Sequence, residues 1–190
     1  MIDAIEQALE EHGRLADVVR RDLMPGVAAA AAILIECIRA GGKIMWCGNG
    51  GSAADAQHLA AELIGRFKRE RQPIASIALT TDTSILTCVG NDYGFSDIFS
   101  RQVEALAAAG DALVAISTSG NSENVLRAVR AVKPKGVRCI GLLGRDGGSL
   151  KSLCDLPLVI PSRDTARIQE MHITIGHILC DLLEANVAGA

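Results

Sequence analysis

The chain has few aromatic side chains and no excess of positive charge. Aromatic residues make up 3% of its 190 residues, and the formal net charge is −3 at pH 7. Proteins whose main partner is nucleic acid usually present a basic face, and those that bind single strands stack the bases on aromatic side chains. The composition therefore argues against nucleic acid as the main partner.

Long apolar runs are also missing. The longest, residues 27–35, is about half of what a membrane-spanning helix needs. The N-terminus carries Asp3 and Glu6, whereas a secretory signal begins with a basic segment ahead of an apolar core. We therefore expect no membrane association and a cytoplasmic location.

The cysteines form no Cys-x-x-Cys pair, and several fall within apolar stretches. A free cysteine in such a stretch behaves as a small hydrophobic residue. We therefore expect reduced, buried thiols at most of the six positions, which are Cys37, Cys47, Cys88, Cys139, Cys154 and Cys180.

The usual nucleotide-binding motifs are absent as well. No Gly-x-x-x-x-Gly-Lys-Ser/Thr occurs, and residues 48–53 miss Gly-x-Gly-x-x-Gly because Ala53 takes the place of the last glycine. These motifs supply the backbone N–H groups that hold a nucleotide's phosphates. We expect no nucleotide cofactor.

The pattern that is present predicts a single α/β domain over residues 1–190. Helical spacing predicts a helix over residues 3–23, and Pro25 begins a second helix that ends at Gly41-Gly42. These two N-terminal helices, residues 1–40, are apolar enough to cover the sheet or another subunit. The α/β core follows at residues 41–190.

In the core, short and nearly continuous apolar runs alternate with helical stretches, which is typical of parallel strands covered on both faces. The predicted strands are residues 44–47, 74–79, 112–117, 139–143 and 156–160. The predicted helices are residues 52–68, 83–90, 95–108, 122–134 and 165–186. We predict a three-layer fold in which helices flank a parallel five-stranded sheet.

Small polar residues follow the predicted strands, where ligands bind in parallel sheets. Residues 48–52 follow the first strand, residues 117–122 follow the third, and a weaker example, residues 80–84, follows the second. Residues 117–122 offer four hydroxyls before a helix, whose free N–H groups attract anions. Helix capping explains any one of these hydroxyls, but the whole cluster predicts a phosphate monoester site.

Two helices carry residue types that bind metals or transfer protons. His58 and Glu62 are four residues apart, on one helix face, although a solvated surface pair has the same spacing. The last predicted helix carries Gln169, His172 and His177 on an otherwise apolar pattern. Spacing alone does not choose between the two histidines, and a buried histidine with satisfied hydrogen bonds explains either one.

Five segments occur in order along the chain: residues 47–52 (Cys-Gly-Asn-Gly-Gly-Ser), 90–95 (Gly-Asn-Asp-Tyr-Gly-Phe), 98–101 (Ile-Phe-Ser-Arg), 117–122 (Ser-Thr-Ser-Gly-Asn-Ser) and 167–170 (Arg-Ile-Gln-Glu). Together they resemble the sugar isomerase (SIS) family and, more closely, its phosphoheptose isomerase members. The likeness covers the chain from residue 40 onward, whereas the N-terminal helices match only in length and character.

This resemblance implies a flavodoxin-like SIS fold, a homotetramer with active sites at subunit interfaces, and a zinc ion in each site. It also implies an aldose–ketose isomerase that converts sedoheptulose 7-phosphate to D-glycero-D-manno-heptose 7-phosphate through an enediolate. That reaction is the first step of ADP-heptose synthesis for the lipopolysaccharide core.

The implied catalytic residues are Glu62 and His177, so the resemblance selects His177 over His172. The implied zinc ligands are His58, Glu62, Gln169 and His177. The implied substrate-binding residues are Asn49, Gly50, Gly51, Ser52, Glu62, Asn91, Asp92, Ser117, Thr118, Ser119, Ser122 and Gln169. The chain departs from some members at Ala166, where they carry an acidic residue; Asp164 or Thr165 is the nearest replacement.

Gln169 and His177 are eight residues apart, or about 12 Å along a straight helix. Both side chains of a single chain would therefore bind the same ion only with difficulty. We therefore predict that the helix bends or begins late near Gln169, or that two chains supply the ligands.

Non-enzymatic proteins are the main alternative. One branch of the SIS family binds the replication initiator protein, and residues 166–172 and 180–182 bear some likeness to it. That branch tends to lose the residues equivalent to Glu62 and His177, which are both present here, so we favour the enzyme. A module that senses sugar phosphates without converting them is the third hypothesis.

Overall fold

Five parallel strands form the central sheet of the computed structural model, which describes residues 1–187. The strands, β1 to β5 in chain order, are Ile44–Cys47, Ser76–Ala78, Ala112–Ser117, Arg138–Gly144 and Leu156–Ile160. They lie in the order β2-β1-β3-β4-β5. Because the order reverses between β1 and β3, a ligand-binding crevice is expected there, outside the carboxyl ends of the strands.

Helices cover both faces of this sheet, which confirms the predicted three-layer fold. Helices α1, α2, α3 and α8 pack on one face, and α4 to α7 pack on the other. In chain order, the helices α1 to α8 are Ile2–Val18, Met24–Arg39, Gly51–Ile64, Thr83–Asp92, Ser100–Leu106, Glu123–Val132, Leu150–Leu153 and Thr165–Val187.

The strands read as continuous apolar runs because successive side chains enter two different cores. In β1, Ile44 and Trp46 join the core beneath α2, α3 and α8. Met45 and Cys47 join the core on the other face. Side chains alternate between faces along a strand, so a strand covered on both sides needs apolar residues at every position.

The two predicted N-terminal helices are present, but no loop separates them. Val19–Leu23 is π-helical and connects α1 directly to α2. Pro25 lies in the first turn of α2, directly after this π-helical segment. Among residues 1–187, no helix is long and apolar enough to cross a membrane.

Several element boundaries differ from the prediction; α3, for example, ends at Ile64 instead of residue 68. Strand β2 is shorter than the predicted residues 74–79, because the N–H of Ile74 donates to Leu63 O instead of joining the ladder with β1. The predicted helix 95–108 is a 3-10 turn, Phe95–Asp97, followed by α5. There the Ser100 hydroxyl donates to Asp97 O over 3.2 Å, a local bond that competes with regular helix formation. The short helix α7 was not predicted.

Asp111 joins the amino ends of β1 and β3. Its buried carboxylate accepts the backbone N–H of Lys43 over 2.9 Å and that of Ala108 over 2.8 Å, and it pairs with the Lys43 ammonium. Burial by itself would raise the pKa of Asp111, but these hydrogen bonds and the charge of Lys43 outweigh burial and lower it.

We expect Asp111→Ala to lower the free energy of unfolding by about 1–3 kcal/mol, because two backbone N–H groups lose their acceptor. The stabilisation from Asp111 is present above the carboxyl's ordinary pKa of 3.8 and is lost as the pH falls through the lower folded-state pKa. Urea denaturation at several pH values measures both effects. The exposed Asp17→Ala serves as the control, and an equal effect in both variants would contradict the assignment.

His172 is a core residue. It is 1% exposed, and its Nε2 lies 3.0 Å from Leu143 O in β4, so Nε2 carries the donated proton. Its Nδ1 is buried without a partner among the described residues. Burial lowers the pKa of His172 to about 4, against a smaller opposing effect of the bond to Leu143.

We expect the NMR signals of the His172 ring to titrate with a midpoint of about 4. The unfolded chain takes up this proton near pH 6.5, so the contribution of His172 to stability is lost as the pH falls from there toward 4. Denaturation of the wild type and His172→Gln across this range tests the sign. A midpoint near the ordinary value of 6.5 would contradict the buried placement.

Candidate active site

Helix α3 begins at the glycine-rich corner that follows β1. In this corner the carboxamides of Asn49 and Asn124 face each other and exchange two hydrogen bonds, of 2.9 and 2.8 Å. Asn124 is buried at the start of α6 and also accepts the backbone N–H of Val125. This pair therefore holds the corner against the loop that follows β3, at the reversal of strand order.

The loop after β3 gathers its hydroxyls around Ser117. Ser117 Oγ lies 3.0 Å from Ser122 Oγ and 3.5 Å from Ser119 Oγ, and it accepts the N–H of Gly120 over 3.1 Å. The predicted cluster thus folds into one compact group, with Thr118 partly exposed beside it. Backbone N–H groups at the start of α6 add to a site of this kind for anions.

An open pocket of about 700 Å³ lies next to this loop, with Ser119 and Asn121 on one side and Arg145, Ser162 and Arg163 on the other. Within residues 1–187, no ion pair occupies the guanidinium groups of Arg145 and Arg163. The pocket therefore adds positive charge beside the uncharged hydroxyls, which suits an anionic ligand.

Helices α3 and α8 lie side by side, and glycines allow their close approach. A Cβ on Gly176 would meet Leu59 Cδ1 at 2.5 Å, and a Cβ on Gly51 would meet Gln169 Nε2 at 2.5 Å. Because Leu59 is fully buried, larger side chains here would push α8 away from α3. The packing places His177 on α8 opposite His58 on α3.

His58, Glu62 and His177 form a compact cluster in which one nitrogen or oxygen from each lies within 4.8 Å of the others. The Nε2 atoms of the two histidines are 2.9 Å apart, and His58 Nε2 is 3.2 Å from Glu62 Oε1. Ligands of a tetrahedral zinc ion are about 3.3 Å apart when each bond is 2.0–2.1 Å. The donor types and their spacing therefore fit a divalent metal ion.

The surroundings of His177 favour its neutral form. Burial lowers its pKa, His58 and Lys68 lower it further, and Glu62 opposes them. The imidazole also stacks on Phe67, with the ring centroids 5.3 Å apart and an angle of 17° between the planes. A neutral imidazole is the form that binds a metal or accepts a proton.

Gln169 lies on α8 where this helix contacts the start of α3. Helix α8 is continuous from Thr165, so the predicted late start near Gln169 is wrong. The carboxamide of Gln169 packs against Gly51, at the first residue of α3, whereas His177 joins His58 two turns along. Within residues 1–187, Gln169 makes no side-chain hydrogen bond. Its place beside Gly51 suits contact with a ligand in the glycine-rich corner.

Asn91 and Asp92 lie apart from this group. They are exposed at the C-terminal end of α4 and bond to each other over 2.8 Å. No hydrogen bond joins them to the corner or to the serine loop among the described residues.

Asp164, a candidate replacement for the acidic residue that Ala166 lacks, caps helix α8. Its Oδ1 accepts the backbone N–H of Ala166 over 2.9 Å.

The structure adds residues that the sequence analysis did not single out. Asp55 lies one turn before His58, and burial raises its pKa, against a smaller opposing effect of His58. Phe67, Asn124 and Arg145 gain meaning only through their neighbours. Of these residues, only Asn124 could have been found from the sequence, as a polar residue on the apolar face of the predicted helix.

Comparison with known proteins shows the family of the chain. Residues 9–144 match the family model of the SIS domain. The chain is 58% identical over 184 residues to the phosphoheptose isomerase of Pelobacter propionicus, covering 97% of each chain, and 56% identical to that of Geobacter sulfurreducens.

Two solved structures of phosphoheptose isomerases superpose closely. The one from Neisseria gonorrhoeae is 46% identical with a TM-score of 0.91, covering 96% of this chain and 98% of that one. The one from Francisella tularensis is 41% identical with a TM-score of 0.94, covering 97% and 98%. The chain belongs to the phosphoheptose isomerase family of SIS-domain proteins.

Proposed function

We propose that the chain is an aldose–ketose isomerase that converts sedoheptulose 7-phosphate to D-glycero-D-manno-heptose 7-phosphate. The observation that carries the proposal is the cluster of His58, Glu62 and His177 in a fold that close relatives named phosphoheptose isomerase share over nearly their whole length. We further propose a cytoplasmic enzyme at the first step of ADP-heptose synthesis for lipopolysaccharide.

The reaction moves a carbonyl from C2 to C1 of the sugar. A base must remove a proton from C1 and return one to C2, while a second group moves a proton between the two oxygens. Glu62 is the carboxylate of the cluster and acts as the carbon base. His177, neutral in its surroundings, accepts and returns the oxygen-bound proton.

The phosphate of the substrate binds at the serine loop, through Ser117, Thr118, Ser119 and Ser122. Asn49, Gly50, Gly51, Ser52 and Gln169 form the wall that faces the sugar, and Asn91 and Asp92 contribute from α4. Holding the distal phosphate orients the reacting carbons, so binding energy far from the chemistry lowers the barrier.

Zinc is the proposed cofactor, held by His58, Glu62 and His177 with Gln169 as a fourth ligand. When bound, such an ion polarises the carbonyl and stabilises the negative charge of the enediolate. Metal binding weakens a carboxylate as a base, so the roles of Glu62 as ligand and as base oppose each other.

We also propose a homotetramer with active sites at subunit interfaces. Helix α1 exposes Ile2, Ile5 and Leu9, with 72%, 52% and 66% of each residue accessible, and a continuous apolar face of this kind is typical of a contact with another protein. In one chain, Gln169 packs against Gly51. Gln169 and His177 are also about 12 Å apart along α8, which favours a second chain as the source of the fourth metal ligand.

Glu62→Gln and His177→Gln should each lower kcat by at least about a hundredfold, because each removes a group that transfers a proton. Turnover of sedoheptulose 7-phosphate to the aldose is measured with added zinc, with a chelator, and after zinc is restored. Glu123→Gln and His12→Gln make the same chemical changes outside the site and should retain activity. No aldose product from the wild type under any metal condition would leave a binding or sensing protein as the alternative.

Mixing two weakly active variants tests the shared site. If Gln169 serves a neighbouring chain, Glu62→Gln and Gln169→Ala subunits together rebuild native sites, about a quarter of the total after random reassembly. We expect activity of that order after unfolding and refolding the mixture. Activity no higher than the mean of the separately refolded variants would show that Gln169 acts within its own chain.

A further inference from the structure

One buried carboxylate holds the segment that follows α3. Glu184 on α8 is fully buried, and its Oε1 accepts the N–H of Phe67 over 2.6 Å. Its Oε2 accepts the N–H of Lys68 over 2.8 Å and that of Arg69 over 3.0 Å. Three consecutive backbone N–H groups thus converge on one carboxylate, which fixes the path of the chain there.

Arg71 extends this arrangement to the end of α3. Its side chain is 1% exposed and lies 3.1 Å from Glu184 Oε1. The same guanidinium donates to Glu62 O over 2.8 Å and to Leu63 O over 2.8 Å. These carbonyls belong to the last turn of α3 and have no partner within the helix. Arg71 therefore ties the backbone of Glu62 to Glu184 and to α8.

Phe67 links the segment held by Glu184 to His177. The Phe67 ring covers one face of the His177 imidazole at 5.3 Å, and the His58 ring meets the imidazole edge-on at 5.1 Å. The outer torsion of a histidine has broad energy wells, so a partly exposed imidazole needs neighbours to fix its plane. Because Glu184 anchors the backbone of Phe67, it also determines where that ring lies.

We propose that Glu184 is a positioning residue, which sets the plane of His177 through Phe67 and the backbone of Glu62 through Arg71. The proposal rests on the proposed function for the roles of His177 and Glu62, but the geometry it predicts is measurable without turnover. A carboxylate that only stabilised the fold would leave the orientation of His177 unchanged in a variant that still folds.

NMR of the histidine ring protons tests the geometry directly. The chain has four histidines, and His177→Gln identifies the signals of His177. Protons over the face of an aromatic ring are shifted upfield, so Phe67→Leu should move the His177 signals downfield. Glu184→Gln should move them in the same direction, while the buried His172 signal keeps its place as the reporter of an intact fold. Spectra are recorded with a chelator and again with zinc.

Kinetics give the second measurement. Glu184→Gln and Phe67→Leu should each lower kcat by about tenfold, the low end for loss of a group that orients a ligand, with KM little changed. Their double variant should lose little more than either one, since both act on one contact. Asp181→Asn is the matched control, because it breaks exposed ion pairs of Lys68 and Arg69 in the same segment. It should leave kcat and the His177 signals as in the wild type.

Each outcome decides the proposal. His177 signals that stay in place in Glu184→Gln but move in Phe67→Leu would overturn the role of Glu184. Signals unmoved in Phe67→Leu would overturn the stacking itself. If Glu184→Gln does not fold, Arg71→Lys replaces it, and a folded Arg71→Lys with unchanged His177 signals and kcat contradicts the proposal. Absence of turnover in the wild type would reject the proposed function alone, since the NMR result stands apart from it.

Discussion

The side-by-side packing of α3 and α8 is the constraint on which the site depends. Gly176 lets α8 approach Leu59, and Gly51 leaves space for Gln169 at the other end of the contact. Only at this separation do His58 and Glu62 from one helix meet His177 from the other within 4.8 Å. The apolar core beneath both helices therefore determines the geometry of a polar cluster at their surface.

Two buried carboxylates, those of Asp111 and Glu184, hold chain segments together around this contact. Asp111 accepts backbone N–H groups at the amino ends of β1 and β3, and Glu184 accepts three more where the chain leaves α3. A buried charge is costly unless it is hydrogen-bonded and paired, and each of these has a cation beside it. Both carboxylates join segments that are distant in sequence, so they position these segments as well as stabilise the fold.

At the carboxyl ends of the strands, the corner after β1 and the serine loop after β3 meet at the reversal of strand order. The Asn49–Asn124 pair joins them, and the pocket with Arg145 and Arg163 lies on the outer side of the serine loop. The hydroxyls, the free backbone N–H groups and the arginines thus lie at one edge of the sheet, as expected for a sugar phosphate bound by its anionic end.

The sequence by itself determined the layers of the fold and most of the polar segments, because continuous apolar runs, helical spacing and strand-following serines are local patterns. It also contained His58 and Glu62 on one helix face. The resemblance selected His177 over His172, but only the tertiary structure brings His177 to them, buries His172 in the core and places Gln169 against Gly51. Phe67, Asn124 and Glu184 lay outside the prediction for the same reason. Their partners lie 75 to 117 residues away in the chain, and pairing at such separations depends on how the helices pack.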